Sequence, residues 1–260
     1  MARSTTLDVL ARVGFIAFAV IHLLVAWIVV RILRGEPAHE GDPTGAFALL
    51  ADQPGGTALL WAAVVGLAAL TVWQLLEAAT GHRDEQDSAR TRERLISVGR
   101  TIVYGFLGWT AARFVTGDAH SSAEEQQGAT STVLSSAGGR ALVVVIGLAI
   151  VALSLGLLWY GLTARFERHL KTGEMRGRTR SVARGLGRFG YAAKGVAYAI
   201  VGVLLVSAAA TYDPAKSRGL DGALRTLAAK PYGPLVLAIA ALGFAAFGAY
   251  CLVQARYRKV

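Results

Sequence analysis

A chain of 260 residues that is 54% hydrophobic and 17% charged, with a mean hydropathy of +0.46, is too apolar for an ordinary soluble domain. A formal charge of +10 would suggest nucleic acid in a soluble protein, but the basic residues sit mainly between apolar runs. Anionic lipid headgroups are the fitting partner there, and no folded basic domain is present to bind nucleic acid.

Six stretches are long and apolar enough to cross a bilayer core as helices, at about 20 residues each: 12–33, 58–79, 95–116, 141–163, 189–211 and 234–254. The first, followed directly by "RILRGEP", is too long for a signal-peptide core and reads as a retained span. After it comes an acidic loop, "GEPAHEGDPTGAFALLADQPGG". Phe47, Leu49 and Leu50 recur there at the spacing of a short helix lying in the outer headgroup region, ending before Pro54. Leu224 and Leu227 repeat the pattern before Pro231; an irregular loop folded over the helix ends is the alternative. The connection after the second stretch is basic, as is the loop 164–188 after the fourth, with 169–185 as a basic linker. Lys and Arg number seventeen in these two loops and the two termini, against six in the other three loops. Both termini are therefore expected in the cytoplasm.

The chain repeats itself. "RVGFIAFAVIHLLVAW", "SVGRTIVYGFLGWTAA" and "RFGYAAKGVAYAIVGV" align on Gly14, Gly99 and Gly190, and "ADQPGG", "SSAGG" and "AAKPYG" align on Gly56, Gly139 and Gly233. The paired glycines are 42, 40 and 43 residues apart, which defines three units at 10–80, 95–168 and 186–257 of one membrane domain. Each unit is a helix out, a loop and a helix back. Copies with two crossings keep their orientation, so an axis near the membrane normal relates them, not an inversion.

The third unit, "RFGYAAKGVAYAIVGVLL" with "GLDGALRTLAAKPYGPLVLAIAALGFAAFGAYCLVQARYR", resembles the bacterial membrane family catalogued as domain of unknown function 1206. The resemblance extends from about residue 10 to the end and is weakest in the second unit, where "SSAGG" lacks the proline of "KPYG". It implies an all-α, polytopic fold of three tandem two-helix repeats in the bacterial cytoplasmic membrane. The family carries no assigned activity, so the resemblance adds no site.

Polar side chains inside spans are costly and therefore candidates for function. His22 lies near the bilayer centre, and the glycine alignment places Leu107 and Tyr198 in the same slot of the other units. His22 and Tyr198 are expected to face one seam, as an interhelix hydrogen bond or as a contact for a ligand, ion or proton. Gln74, Glu77, Arg100 and Lys194 lie nearer the cytoplasmic side, either snorkelling to headgroups or joining repeats through a pair of Glu77 with Lys194 or Arg100. Arg31, Arg34 and Arg113 mark the outer helix ends, where lipid phosphate or the acidic loops would receive them. All five tryptophans, Trp27, Trp61, Trp73, Trp109 and Trp159, read as interface anchors. Ala241, Ala245 and Ala249 beside Gly248, and Ala62 with Gly66, read as packing ridges.

Cys251, the single cysteine, rules out an internal disulfide, and no HExxH or metal-ligand spacing occurs, so no metal or cofactor is expected. A structural, assembly or accessory membrane component is the leading functional reading. A transporter or channel using the seam near His22 is the alternative, and an enzyme fits least.

Overall fold

The structure, a computed structural model, describes residues 2–81 and 87–259; His82 and Arg83 of the first basic connection lie outside the described residues. Among the described residues nine α-helices make up the protein. They are α1 (Ala2–Leu33), α2 (Pro43–Ala51), α3 (Gly56–Thr80), α4 (Asp87–Thr116), α5 (Ser122–Leu134), α6 (Ala137–Leu162), α7 (Gly177–Thr211), α8 (Gly219–Ala228) and α9 (Gly233–Tyr257). Five of them, α1, α3, α6, α7 and α9, are long and apolar enough to cross a membrane. The 30-residue α4 is not among these five; it opens on the charged stretch "DSARTRER".

The long helices follow the repeat. The second long helix of each unit packs most extensively on the first long helix of the next: α3 on α4, α6 on α7, and α9 back on α1. Within units, α1 packs on α3 and α7 on α9, whereas α4 and α6 have no comparable contact. The second hairpin is open.

Glycine shows how it opens. A Cβ at Gly14 would stand 2.3 Å from Leu70 Cγ, and one at Gly190 would stand 2.7 Å from Phe247 Cα. Leu70, Leu153 and Phe247 occupy one slot, fourteen residues after the aligned glycines Gly56, Gly139 and Gly233. In the second unit a Cβ at Gly99 would meet nothing within 4 Å beyond its own helix, and Leu153 is 71% exposed. The α6 helix is held elsewhere: Gly202 and Gly195 of α7 bring its backbone against Gly147 and Ser154, at distances a methyl group would fill. Of the expected ridges, Gly248 meets Ala19 and Leu23, and Gly66 meets Ala17, while Ala62 faces outward.

Short helices cover the end of the bundle opposite the termini. They are more enclosed than headgroup-lying helices would be: Phe47, Leu50 and Leu224 are buried against the bundle, Phe47 beside Phe114. The second loop also forms one, α5, which the apolar pattern of the sequence did not indicate. Its signal is a cap: Ser121 accepts from the Glu124 N–H, with Glu124 and Glu125 in the first turn. Glu40, Gly41 and Asp42 tie all three loops together. Glu40 accepts from the Ser121 hydroxyl and from the Ser122 and Ala123 N–H groups at the start of α5. The Gly41 N–H donates to Asp221 of α8 at 2.8 Å. Asp42 caps α2 through Thr44 and Gly45 and accepts from the Ser122 hydroxyl.

At the end carrying the termini, the basic connection is folded and not a loose linker. It makes 3-10 turns at Arg165–His169 and Thr172–Glu174, then enters α7 at Gly177. Glu167 binds Arg180 and Arg184, which hold its carboxyl below its ordinary range. Phe166 is buried, and Leu170 bridges Arg258 while Lys171 N–H donates to the Tyr257 carbonyl at 2.7 Å.

These contacts predict unequal effects at aligned glycines. Gly190→Val is expected to destabilise the protein by about 1–3 kcal/mol through overpacking, whereas Gly99→Val should leave the thermal midpoint of the purified protein nearly unchanged.

Candidate functional site

The seam between the units is polar at its core. His22 is 4% exposed, and its Nδ1 lies 2.8 Å from the Phe18 carbonyl oxygen. A carbonyl only accepts, so Nδ1 carries the proton and Nε2 is left as an acceptor. Lys194 Nζ fills that role from 3.0 Å as the donor. Its ammonium also stands 4.0 Å from the centre of the Phe247 ring, with Phe18 and Tyr198 slightly farther. The aromatic faces take up part of the charge that burial removes from water.

His22 and Tyr198 thus meet around Lys194. The depth of Lys194 differs from the snorkelling expectation because α7 begins at Gly177, well before the apolar run, so Lys194 sits in mid-helix. Lys194 is buried and bonded to His22. Glu77 lies near Gly81 instead, its carboxylate 2.6 Å from where a Gly81 Cβ would stand.

One layer towards the termini, Arg100 and Arg258, Gln74 and Gln254, and Tyr104 and Tyr191 line a small, partly open cavity of about 30 Å³ together with Phe15, Phe18 and Phe247. Gln74 and Arg100 were legible as candidates; Gln254, Arg258, Tyr104 and Tyr191 were not singled out. The repeat held a signal for two of them. Gln254 occupies the slot of Glu77, and Tyr191 that of Arg100 and Phe15. Arg258 reads in sequence as a terminal headgroup charge, yet it is 8% exposed and lies over Trp73 at 5.3 Å. Trp73 is itself buried and no interface anchor, unlike the exposed Trp27, Trp61, Trp109 and Trp159.

The outer-end arginines meet carboxylates. Arg31 and Arg34 approach Glu36 at 3.6 and 3.8 Å, and Arg113 binds Glu125 at 2.8 Å. No group of three or more His, Cys, Asp or Glu suited to a metal ion occurs among the described residues. A larger depression, lined by Arg12, Arg256 and Glu174, opens at the surface beside α1 and α9.

The family model described as Domain of Unknown Function (DUF1206) matches three times, at residues 13–81, 97–164 and 189–258. The chain belongs to this family. Each match covers one hairpin, so the repeat that organises the bundle is the DUF1206 unit itself. The chain is 29% identical over 250 residues to the Bacillus subtilis (strain 168) protein recorded as "Uncharacterized protein YxxB", covering 96% of this chain and 90% of that one. No solved structure matches it.

Two predictions follow from this geometry. His22→Leu strands the Lys194 ammonium and should cost about 1–3 kcal/mol, while the double variant with Lys194→Met should recover most of the loss; thermal melts of the four-variant cycle measure the coupling. The second concerns the loop lock. Burial is the main cause that raises Asp42 from 3.8 to about 6, opposed first by the Ser122 hydroxyl. The folded protein therefore holds this proton more tightly than the unfolded chain, so the stabilisation grows as pH falls below about 6 and is lost as pH rises through it. The thermal midpoint should be higher near pH 5 than near pH 7, by the equivalent of about 1 kcal/mol. Asp42→Asn, which keeps a capping side chain, should remove that difference.

Proposed function

We propose that this protein is a non-enzymatic assembly or accessory component of the bacterial cytoplasmic membrane, crossing it six times with both termini inside. In this reading α4 is the sixth crossing. At 1.5 Å per residue its length is about 45 Å, enough to span the core and leave its charged start among inner headgroups. Arg12 and Arg256 in the surface depression beside the termini support contact with anionic lipid there.

The open second hairpin carries the assembly reading. No hydrophobic force draws helices together in lipid, so association depends on small residues that let larger ones approach closely. Gly99 and Leu153 are the two halves of such a contact, and each is unoccupied by its counterpart. A partner's transmembrane helix seated between α4 and α6 would supply both, repeating what hairpins one and three do internally. The transport alternative finds less support, since a pathway needs continuous water along the seam. His22 is enclosed by Phe18, Phe247 and Lys194, and the cavity below is near the size of one water molecule.

Cysteine cross-linking in native membranes tests this. In a Cys251→Ser background, Gly99→Cys or Leu153→Cys should give one discrete adduct, with another protein or a second copy; monomer alone at both positions counts against assembly. In intact cells Gly128→Cys should be labelled by an impermeant maleimide and a cysteine at Lys259 should not; the opposite pattern would reverse the topology.

A further inference from the structure

We propose that the cavity between Arg100 and Arg258 is a binding site for a single monoatomic anion, chloride in the cell. This goes beyond the assembly reading and does not depend on it.

The charge balance comes first. Arg100 from the second unit and Arg258 from the third converge on one small space. Among the described residues no carboxylate lies within ion-pair distance of either guanidinium; Glu93, which is also buried, is taken by Arg168 and Arg92. Arginine keeps its proton under all physiological conditions, so neither charge is relieved by titration. Two like charges facing one low-dielectric cavity repel, and the burial of Arg258 with the partial burial of Arg100 removes much of the hydration that would screen the repulsion. An anion between them reverses the sign of both interactions.

Unmet hydrogen bonding points the same way. Arg258 Nε and Gln74 Oε1 are buried without a partner. Gln74 is 1% exposed and Gln254 is 3% exposed, so both amides are committed to the interior. An amide whose oxygen finds no donor can turn to present its NH2 group, and with Gln254, Tyr104 and Tyr191 this makes a shell rich in donors. Such a shell suits an anion and is wrong for a metal ion, which needs acceptors.

Size decides the class of anion. A cavity of about 30 Å³ holds one water-sized particle. Phosphate, carboxylates and lipid headgroups are too large, whereas a halide fits. The residues come from α1, α3, α4, α7 and α9, with Arg258 just past the end of α9, so a bound ion would join all three units at one point. Phe18 and Phe247 stand between it and the Lys194–His22 pair, which keeps its own hydrogen bond and ring contacts.

The test uses the full-length protein in lipid nanodiscs, melted in sodium chloride, sodium bromide, sodium gluconate or sodium sulfate at matched ionic strength. Chloride and bromide should raise the midpoint saturably, gluconate and sulfate should not, and Arg258→Gln and Arg100→Gln should each weaken the apparent halide affinity about tenfold or more. An equal rise in every salt, or an unchanged chloride response in both folded variants, overturns the proposal. If the variants fail to fold, wild-type crystals grown in bromide decide it. An anomalous peak between Arg100 and Arg258 supports the site, and a cavity with no such peak refutes it.

Discussion

Close approach of helix backbones at glycine is the constraint on which the bundle depends. A membrane interior offers no hydrophobic gain for bringing apolar helices together, so packing quality must do the work. Gly14, Gly190, Gly195 and Gly202 each accept a neighbour at a distance a methyl group would contest. Where the repeat keeps the glycine but the neighbour has moved away, as at Gly99, the hairpin is open. The three units are thus copies in sequence and unequal in packing. In the second unit α6 keeps its glycine contacts with α7 but makes none comparable with α4.

A second consequence follows for the seam. Helices meeting closely leave little room for side chains, and the few that project inward are exposed to a strongly unfavourable medium. The protein fills the seam with aromatic rings, and their faces are the main company that Lys194 and Arg258 find. Divergence of the repeat made this possible. Phe15, Arg100 and Tyr191 share one slot, and so do His22, Leu107 and Tyr198. Identical residues in each slot would set three like charges or three imidazoles around one centre. Varied residues let a cation from one unit meet an acceptor or a ring from another, as Lys194 does with His22.

Much of the fold was legible because bilayer thickness and glycine spacing act over long windows. Hairpin number follows from Gly14, Gly99 and Gly190 with their partners, helix positions from the apolar runs, and the family from the resemblance carried by the third unit. The short helices of the first and third loops were legible from Phe47 and Leu224, but their burial was not, since apolar spacing is the same against lipid or protein. The site was legible in part. His22, Gln74, Arg100 and Lys194 stand out because a polar residue in an apolar run is conspicuous. Arg258 does not, because a basic residue at a helix end looks like every other headgroup charge. Its burial depends on Leu170 and Lys171 folding back onto the end of the last helix, where Leu170 meets Arg258 and Lys171 meets Tyr257 across a long stretch of sequence. Spacing cannot reveal that.

The ends of the second hairpin argue that its opening is built into the fold. Near the termini, Glu93 at the start of α4 binds Arg168 just beyond the end of α6. At the opposite end, Arg113 of α4 binds Glu125 of α5, which leads into α6, while Glu40 caps α5 from the first loop. The segments that flank α6 are therefore tied to α4 at both ends, while α6 itself has no comparable contact with it. Frayed helices would separate most at their ends, where nothing holds them. Between those ties, at Gly99 and Leu153, α4 and α6 have no comparable contact, while Gly147 and Ser154 hold α6 against α7. Closing the hairpin would mean breaking that glycine interface, so an incoming helix would find the opening already formed.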